Sequence, residues 1–234
     1  MKSIRTLLIV VFILLLNWQA QAERGRSIAR FDEISLRVAA NLYLEQGNER
    51  SLEITANDAT LDKLIVEVLG GKLIIRLSVE DWLFGSFKPG KIDIRLVADE
   101  PISALNIQGS GNIIATSAIT TPFIKLNIAG SGDIKMSQLE TKQLDVNITG
   151  SGDVVVSGTE MLDEMHVNIA GSGDVMAYQL QAREAFVRIA GSGDCDLYVS
   201  ELLDAKILGS GDVNYRGEPA LRTSISGSGR VKSK

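Results

Sequence analysis

From Leu105 onward, apolar and polar side chains alternate with a period of two, and the pattern restarts around one tetrapeptide. Gly-Ser-Gly-Asp, or a one-letter variant of it, begins at Gly109, Gly130, Gly150, Gly171, Gly191, Gly209 and Gly227, at spacings of 21, 20, 21, 20, 18 and 18 residues. With each first glycine numbered 0, position −2 is isoleucine in all seven copies, from Ile107 to Ile225. Position +4 is Ile113, Ile134, Val154, Val175, Cys195, Val213 and Val231, and positions −4 and +6 are mostly apolar as well. The odd positions are mostly polar: Asn106, Asn127, Asn147, Asn168, Arg188, Lys206 and Ser224 at −3, and serine at +1 throughout. Position +3 runs Asn112, Asp133, Asp153, Asp174, Asp194, Asp212, Arg230. Alternation of this kind, rich in β-branched residues, predicts strands on both sides of the motif.

A single such unit cannot bury its apolar face, whereas a stack of near-identical units aligns those faces into one core. The pattern therefore predicts an all-β, single-stranded parallel β-solenoid of about seven rungs, each of 18–21 residues. At roughly 4.8 Å per rung its length is about 30–35 Å. The glycines at 0 and +2 mark either a sharp bend or an approach of backbones too close for a Cβ. Antiparallel hairpins with Gly-Ser-Gly turns satisfy the same parity, but only parallel stacking sets like residues on like. Arg230, Lys232 and Lys234 replace the polar positions of the last copy, as charged terminal strands do to keep a sheet edge from pairing, and this reads as a cap.

Residues 23–100 lack the motif and remain strand-like. Ile34–Val38, Leu42–Leu44, Leu52–Ile54, Leu64–Val68, Leu73–Leu77 and Ile92–Leu96 are the expected strands, with Gly70-Gly71 as a hairpin turn. They form either a small β-rich cap region or degenerate first rungs, ahead of a repeat solenoid over 101–234. Residues 1–22 read as a secretory signal peptide. Lys2 and Arg5 start it, Leu7 to Leu16 is apolar, and Ala20-Gln21-Ala22 is a small-residue cleavage site. The protein is thus expected in the periplasm, outside the cell or at its surface. Without Lys2 and Arg5, the 24 basic residues fall to 22 against 29 acidic ones, a net charge of −7. That balance argues against a nucleic-acid partner. No apolar run in the mature chain is long enough to span a membrane, and the single cysteine, Cys195, excludes an internal disulfide.

Two features are candidates for chemistry. The outward ladder Asp133, Asp153, Asp174, Asp194, Asp212 admits three readings. Each carboxylate caps backbone N–H groups of the glycine turn, or the stack binds Ca²⁺ to relieve like charges about 5 Å apart, or two aspartates act as a glycosidase pair. Repetition opposes the last, because a catalytic pair needs its two pKa values driven apart. The second feature is Trp82, Phe84 and Phe87 within Asp81–Gly90, which either fold over a flank of the solenoid or form an exposed docking patch. His166 stands alone in outward parity, and Cys195 fills an Ile/Val slot as a small core hydrophobe. No metal-ligand cluster, cofactor motif or phosphate loop is present.

The run Leu-Asn-Ile-Ala-Gly-Ser-Gly-Asp-Ile at 126–134 recurs with variations at 146–154, 167–175 and 187–195. Together with Phe31-Asp32-Glu33-Ile34 and Gly-Gly-Lys-Leu-Ile-Ile at 70–75, it resembles the head GIN domain family, described as putative auto-transporter adhesin. The resemblance implies an exported bacterial β-solenoid and brings no catalytic residues. The expected function is a non-enzymatic, adhesin-like or cell-envelope interaction module whose partner is an unknown protein or a glycan, with a homo-oligomer open. The alternative is a calcium- or glycan-binding solenoid using the Ser/Asp ladder, and a polysaccharide-active enzyme comes third.

Overall fold

The computed structural model describes residues 22–26, 28–78 and 89–234. Strands β1 (Ala22–Arg26), β2 (Glu33–Arg37), β3 (Asn41–Gln46) and β4 (Ser51–Ala56) lead to one helical turn, α1 (Asp58–Leu61). The Asn57 side chain caps that turn by accepting the Thr60 N–H at 2.8 Å. Strands β5 (Leu64–Leu69) and β6 (Lys72–Leu77) follow as an antiparallel hairpin. Gly70 and Gly71, at φ 58° and 80°, supply the left-handed backbone that its two-residue turn requires. β7 (Asp93–Ala98) completes the part before the repeats.

The repeats then build two stacked columns of parallel strands. One column precedes the tetrapeptide: β8 (Ala104–Gly109), β11 (Phe123–Gly130), β14 (Gln143–Gly150), β16 (Leu162–Gly171), the second halves of β17 (Val175–Gly191) and β18 (Cys195–Gly209), and β20 (Ala220–Gly227). The other follows it: β9 (Asn112–Ala115), β12 (Ile134–Met136), β15 (Val154–Ser157), the first parts of β17 and β18, β19 (Val213–Arg216) and β21 (Val231–Ser233). A short third side appears where β10 (Ile119–Thr120) pairs with β13 (Leu139–Glu140). Every pairing between repeats is parallel, and around the tetrapeptide it keeps motif register, so Ile128 lies on Ile107, Ile148 on Ile128, and Ile225 on Ile207. The register shifts only away from the motif, within β15, β17 and β18 and between β10 and β13. Parallel stacking rather than antiparallel hairpins is therefore the arrangement, and the chain is a β-solenoid.

The stack does not begin at the first tetrapeptide. β2 and β3 lie parallel on β8 and β9, with Ile34 on Leu105, Leu36 on Ile107 and Leu42 on Ile113. On their other side lie β6 and β7, with Ile75 on Leu36 and Ile94 on Leu42. Beyond these, β5 on β6, β4 on β7 and β1 on β4 all run antiparallel and close that end.

One core runs the length of the stack. The −2 isoleucines from Ile107 to Ile207 are at most 3% exposed, and each contributes roughly 1.5–3 kcal/mol by burial. The exception is the last, Ile225, which is 44% exposed. With Leu221 at 48%, it leaves the C-terminal end of the core open. The basic residues read as a cap do not cover it: Lys232 folds back onto Asp212 and Lys234 onto Asp196, along the side of the stack. They mark the edge with charge but leave its apolar end uncovered.

Candidate functional site

The corner between the two columns is where the polar chemistry concentrates, and glycine makes it. Position 0 holds φ between 108° and 140° in all seven copies, a region closed to residues with a side chain. At +2 the limit is contact: a Cβ on Gly132 would collide with the Gly111 carbonyl oxygen, and the same holds up the column. Backbone bonds pass straight through the corner. The serine N–H at +1 donates to the position-0 carbonyl of the preceding rung, as in Ser151 to Gly130 at 2.9 Å. The +4 N–H donates to the Asp carbonyl of the following rung, as in Val154 to Asp174 at 2.9 Å.

The side chains of the Asp ladder supply acceptors at this corner. The N–H of Asp153 donates to Oδ1 of Asp133, that of Asp174 to Asp153, that of Asp194 to Asp174 and that of Asp212 to Asp194, at 2.7–3.2 Å. Each of these acceptor carboxylates thus satisfies a backbone donor one rung further on. The ladder extends beyond the aspartates. Asn112 Oδ1 accepts the Asp133 N–H at 3.1 Å, Asn112 Nδ2 donates to Asn41 Oδ1 at 3.0 Å, and Asn41 Nδ2 donates to Asp93 Oδ1 at 3.2 Å. A lysine closes each end: Lys91 on Asp93 at 2.7 Å and Lys232 on Asp212 at 2.6 Å. The Lys232 hydrogen bond holds the Asp212 carboxyl below its usual range, and Asp93 raises Lys91. Asn41 and Asp93 were not candidates from the sequence. Their signal was available: Asn41-Leu42 and Asp93-Ile94 repeat the acid-or-amide plus aliphatic pair found at +3 and +4.

Among the described residues, no group of three or more His, Cys, Asp or Glu side chains converges to hold a metal ion. Trp82, Phe84 and Phe87 lie outside the described residues. Cys195 is fully buried and unpaired, and burial pushes its thiol well above the usual range, away from reactivity. His166 is not free in solvent: its Nε2 lies 2.7 Å from Glu164 Oε1, and its ring stacks on Phe186 at 5.0 Å between centroids.

A second ladder runs along position −3. Asn168 Nδ2 donates to Asn147 Oδ1, Asn147 to Asn127, Asn127 to Asn106, and Asn106 to the Ile34 carbonyl, at 2.8–3.1 Å. It stops at Asn168, where Arg188 and then Lys206 take the position. Between this column and position −1 runs an open groove of about 510 Å³, with Ala170, Ala190 and Leu208 on its floor. Leu208 is 64% exposed.

Residues 30–219 match the family model described as "Putative auto-transporter adhesin, head GIN domain". Among solved structures, one from Bacteroides fragilis described as a putative adhesin superposes with a TM-score of 0.84 at 22% identity, covering 92% of this chain and 98% of its own. One from Parabacteroides distasonis, described as a putative lipid binding protein, gives 0.76 at 28% identity, with 93% and 98% covered. A putative adhesin from Parabacteroides merdae gives 0.72 at 19% identity, with 93% and 97% covered. No curated protein matches the chain.

Proposed function

The chain belongs to the head GIN domain family of putative auto-transporter adhesins, and from that premise we propose that it is an exported, non-enzymatic interaction module of the cell envelope. The signal-like residues 1–22 direct it out of the cytoplasm, and the stack serves as a stiff scaffold whose outward columns meet a protein or glycan. One observation carries the reading. The interior aspartates share one arrangement, each lending Oδ1 to the next rung's N–H, with Asp133 alone also 3.8 Å from a lysine, Lys135, and this common structural duty argues against an acid–base pair among them. Their role is to hold the corners, which leaves binding to the other outward positions.

The test uses labelled protein spanning residues 23–234, incubated with intact cells and with envelope fragments of its source bacterium. Saturable binding that unlabelled protein displaces is expected, with no release of reducing sugar from polysaccharide substrates. Absence of saturable binding, or sugar release abolished by an Asp153→Asn substitution, would overturn it. Calorimetric titration with CaCl₂ is expected to show no binding at the ladder.

A further inference from the structure

We infer that the outward groove around Arg188 and Lys206 binds an extended acidic polysaccharide, with its carboxylates on the two cations. The inference rests on the chain being an interaction module and assigns that function a place and a ligand class.

Four asparagines of the −3 column bond rung to rung, and continuing them would add two more amide bonds at Arg188 and Lys206. Instead two cations stand as direct register partners. Like charges in that relation repel. Both side chains are exposed, and neither has a hydrogen-bond or ion-pair partner among the described residues. On the neighbouring outward position, Asp204 is the register partner of Arg222. A site that gives up internal bonds to hold unpaired charge is where a local rule is broken for a function.

The adjoining column is apolar beside the cations, as it already is at Ala129 and Ala170 beside asparagines. Position −1 passes from Thr149 to Ala170, Ala190 and the exposed Leu208, then returns to Ser226. The result is an apolar lining beside the cations, with the amide of Asn147 and hydroxyl of Thr149 at one end of the groove and the hydroxyls of Ser224 and Ser226 at the other. The stacked His166 and Phe186 rings border it on the far side of the −3 column.

Three features select the occupant. The groove follows the solenoid axis, so it offers one set of contacts every ~4.8 Å, a spacing comparable to one sugar of a linear polysaccharide. Ala170 and Ala190 are small enough to admit the C–H face of a ring, while Asn168, Thr149 and Ser226 suit hydroxyls. Arg188 takes a carboxylate with charge-assisted hydrogen bonds. An acyl chain fits less well, because the groove is open along its length and would leave one side of the chain in water. The net charge of −7 over residues 23–234 opposes indiscriminate binding of polyanions.

The test is calorimetric titration of the protein with an oligogalacturonate of about eight sugars, beside a neutral galactan oligomer and phosphatidylglycerol vesicles. Binding of the oligogalacturonate alone is expected, weakened by added salt. The double substitution Arg188→Gln, Lys206→Gln is expected to cut affinity about tenfold or more, with melting temperature unchanged. Absence of oligogalacturonate binding, binding indifferent to the double substitution, or binding to the vesicles in place of the sugar would overturn the inference. The same variant in the cell-binding assay separates the two readings. Saturable cell binding without any for oligogalacturonate sinks the groove alone. Arg188- and Lys206-dependent sugar binding without cell binding sinks the envelope role and leaves the groove.

Discussion

The two ends of this stack are built on different rules. At the N-terminal end, β6–β7 and β2–β3 continue the parallel stack without its glycines, and β5, β4 and β1 then turn antiparallel across it. Leu36 and Leu73, at the motif's inward positions there, are fully buried. At the C-terminal end the glycines of the motif run on to Gly227 and Gly229 with no change of strand direction, and every residue of β20 is exposed. A repeat propagates a stack but does not end it. Closing an end takes strands with a different direction and therefore a different sequence.

Substitutions at one motif position in different rungs test that contrast. The largest effect is expected at the +2 glycine. A Cβ on Gly152 would meet the Gly132 carbonyl with rungs packed on both sides, so Gly152→Ala is expected to cost about 3 kcal/mol or more by chemical denaturation. Gly229→Ala meets the Gly211 carbonyl in the same way, but its rung can shift outward, and a loss below about 1.5 kcal/mol is expected. Equal costs would mean that the last rung is as confined as the middle ones.

Next come the isoleucines. Ile148→Ala empties a packed site and should cost about 2–5 kcal/mol. Ile225→Ala removes a side chain already 44% exposed and should cost under about 1 kcal/mol. A C-terminal loss as large as the interior one would show that something covers β20.

Smaller effects are expected in the ladder. Asp174→Ala deprives the Asp194 N–H of its acceptor, at about 1–2 kcal/mol, whereas Asp174→Asn keeps an oxygen there and should cost a few tenths. Loss of stability with both variants would point to the charge and not the acceptor.

The smallest effect concerns pH. Because Lys232 lowers the Asp212 carboxyl in the folded protein, its contribution is present above the ordinary carboxylate range and fades as pH falls through the lowered folded value. Lys232→Ala should return the Asp212 titration to the ordinary range in an NMR pH series, with little change in stability because the pair is solvent-accessible. An Asp212 titration unmoved by the substitution would refute the end closure.

Much of the repeat region was legible because its interactions are local in pattern. Isoleucine at −2, glycine at 0 and +2, and the polar odd positions each give one reading, and together they leave only parallel or antiparallel stacking to decide. The strands before the repeats were legible one by one, and Gly70-Gly71 gave the hairpin. Their arrangement was not, because β2 pairs with β6 and β8, both far along the chain, and nothing local to Ile34 or Leu36 records that. The Val38–Ala40 corner hides its kinship to the tetrapeptide because it lacks the glycines, although its carbonyls still lie where a Cβ on Gly111 would sit. In the outward columns, Arg188 and Lys206 were visible as departures from asparagine. That they lack partners among the described residues and adjoin Ala170 and Ala190 is a property of three dimensions.

Amide hydrogen exchange across the native protein tests the difference between the ends most directly. Protection should be high from β2 through the middle rungs and in the closing strands β4 and β5, then fall away across β20 and β21. A β20 as slow to exchange as β14, or closing strands as fast as β20, would contradict a stack that is sealed at one end and open at the other.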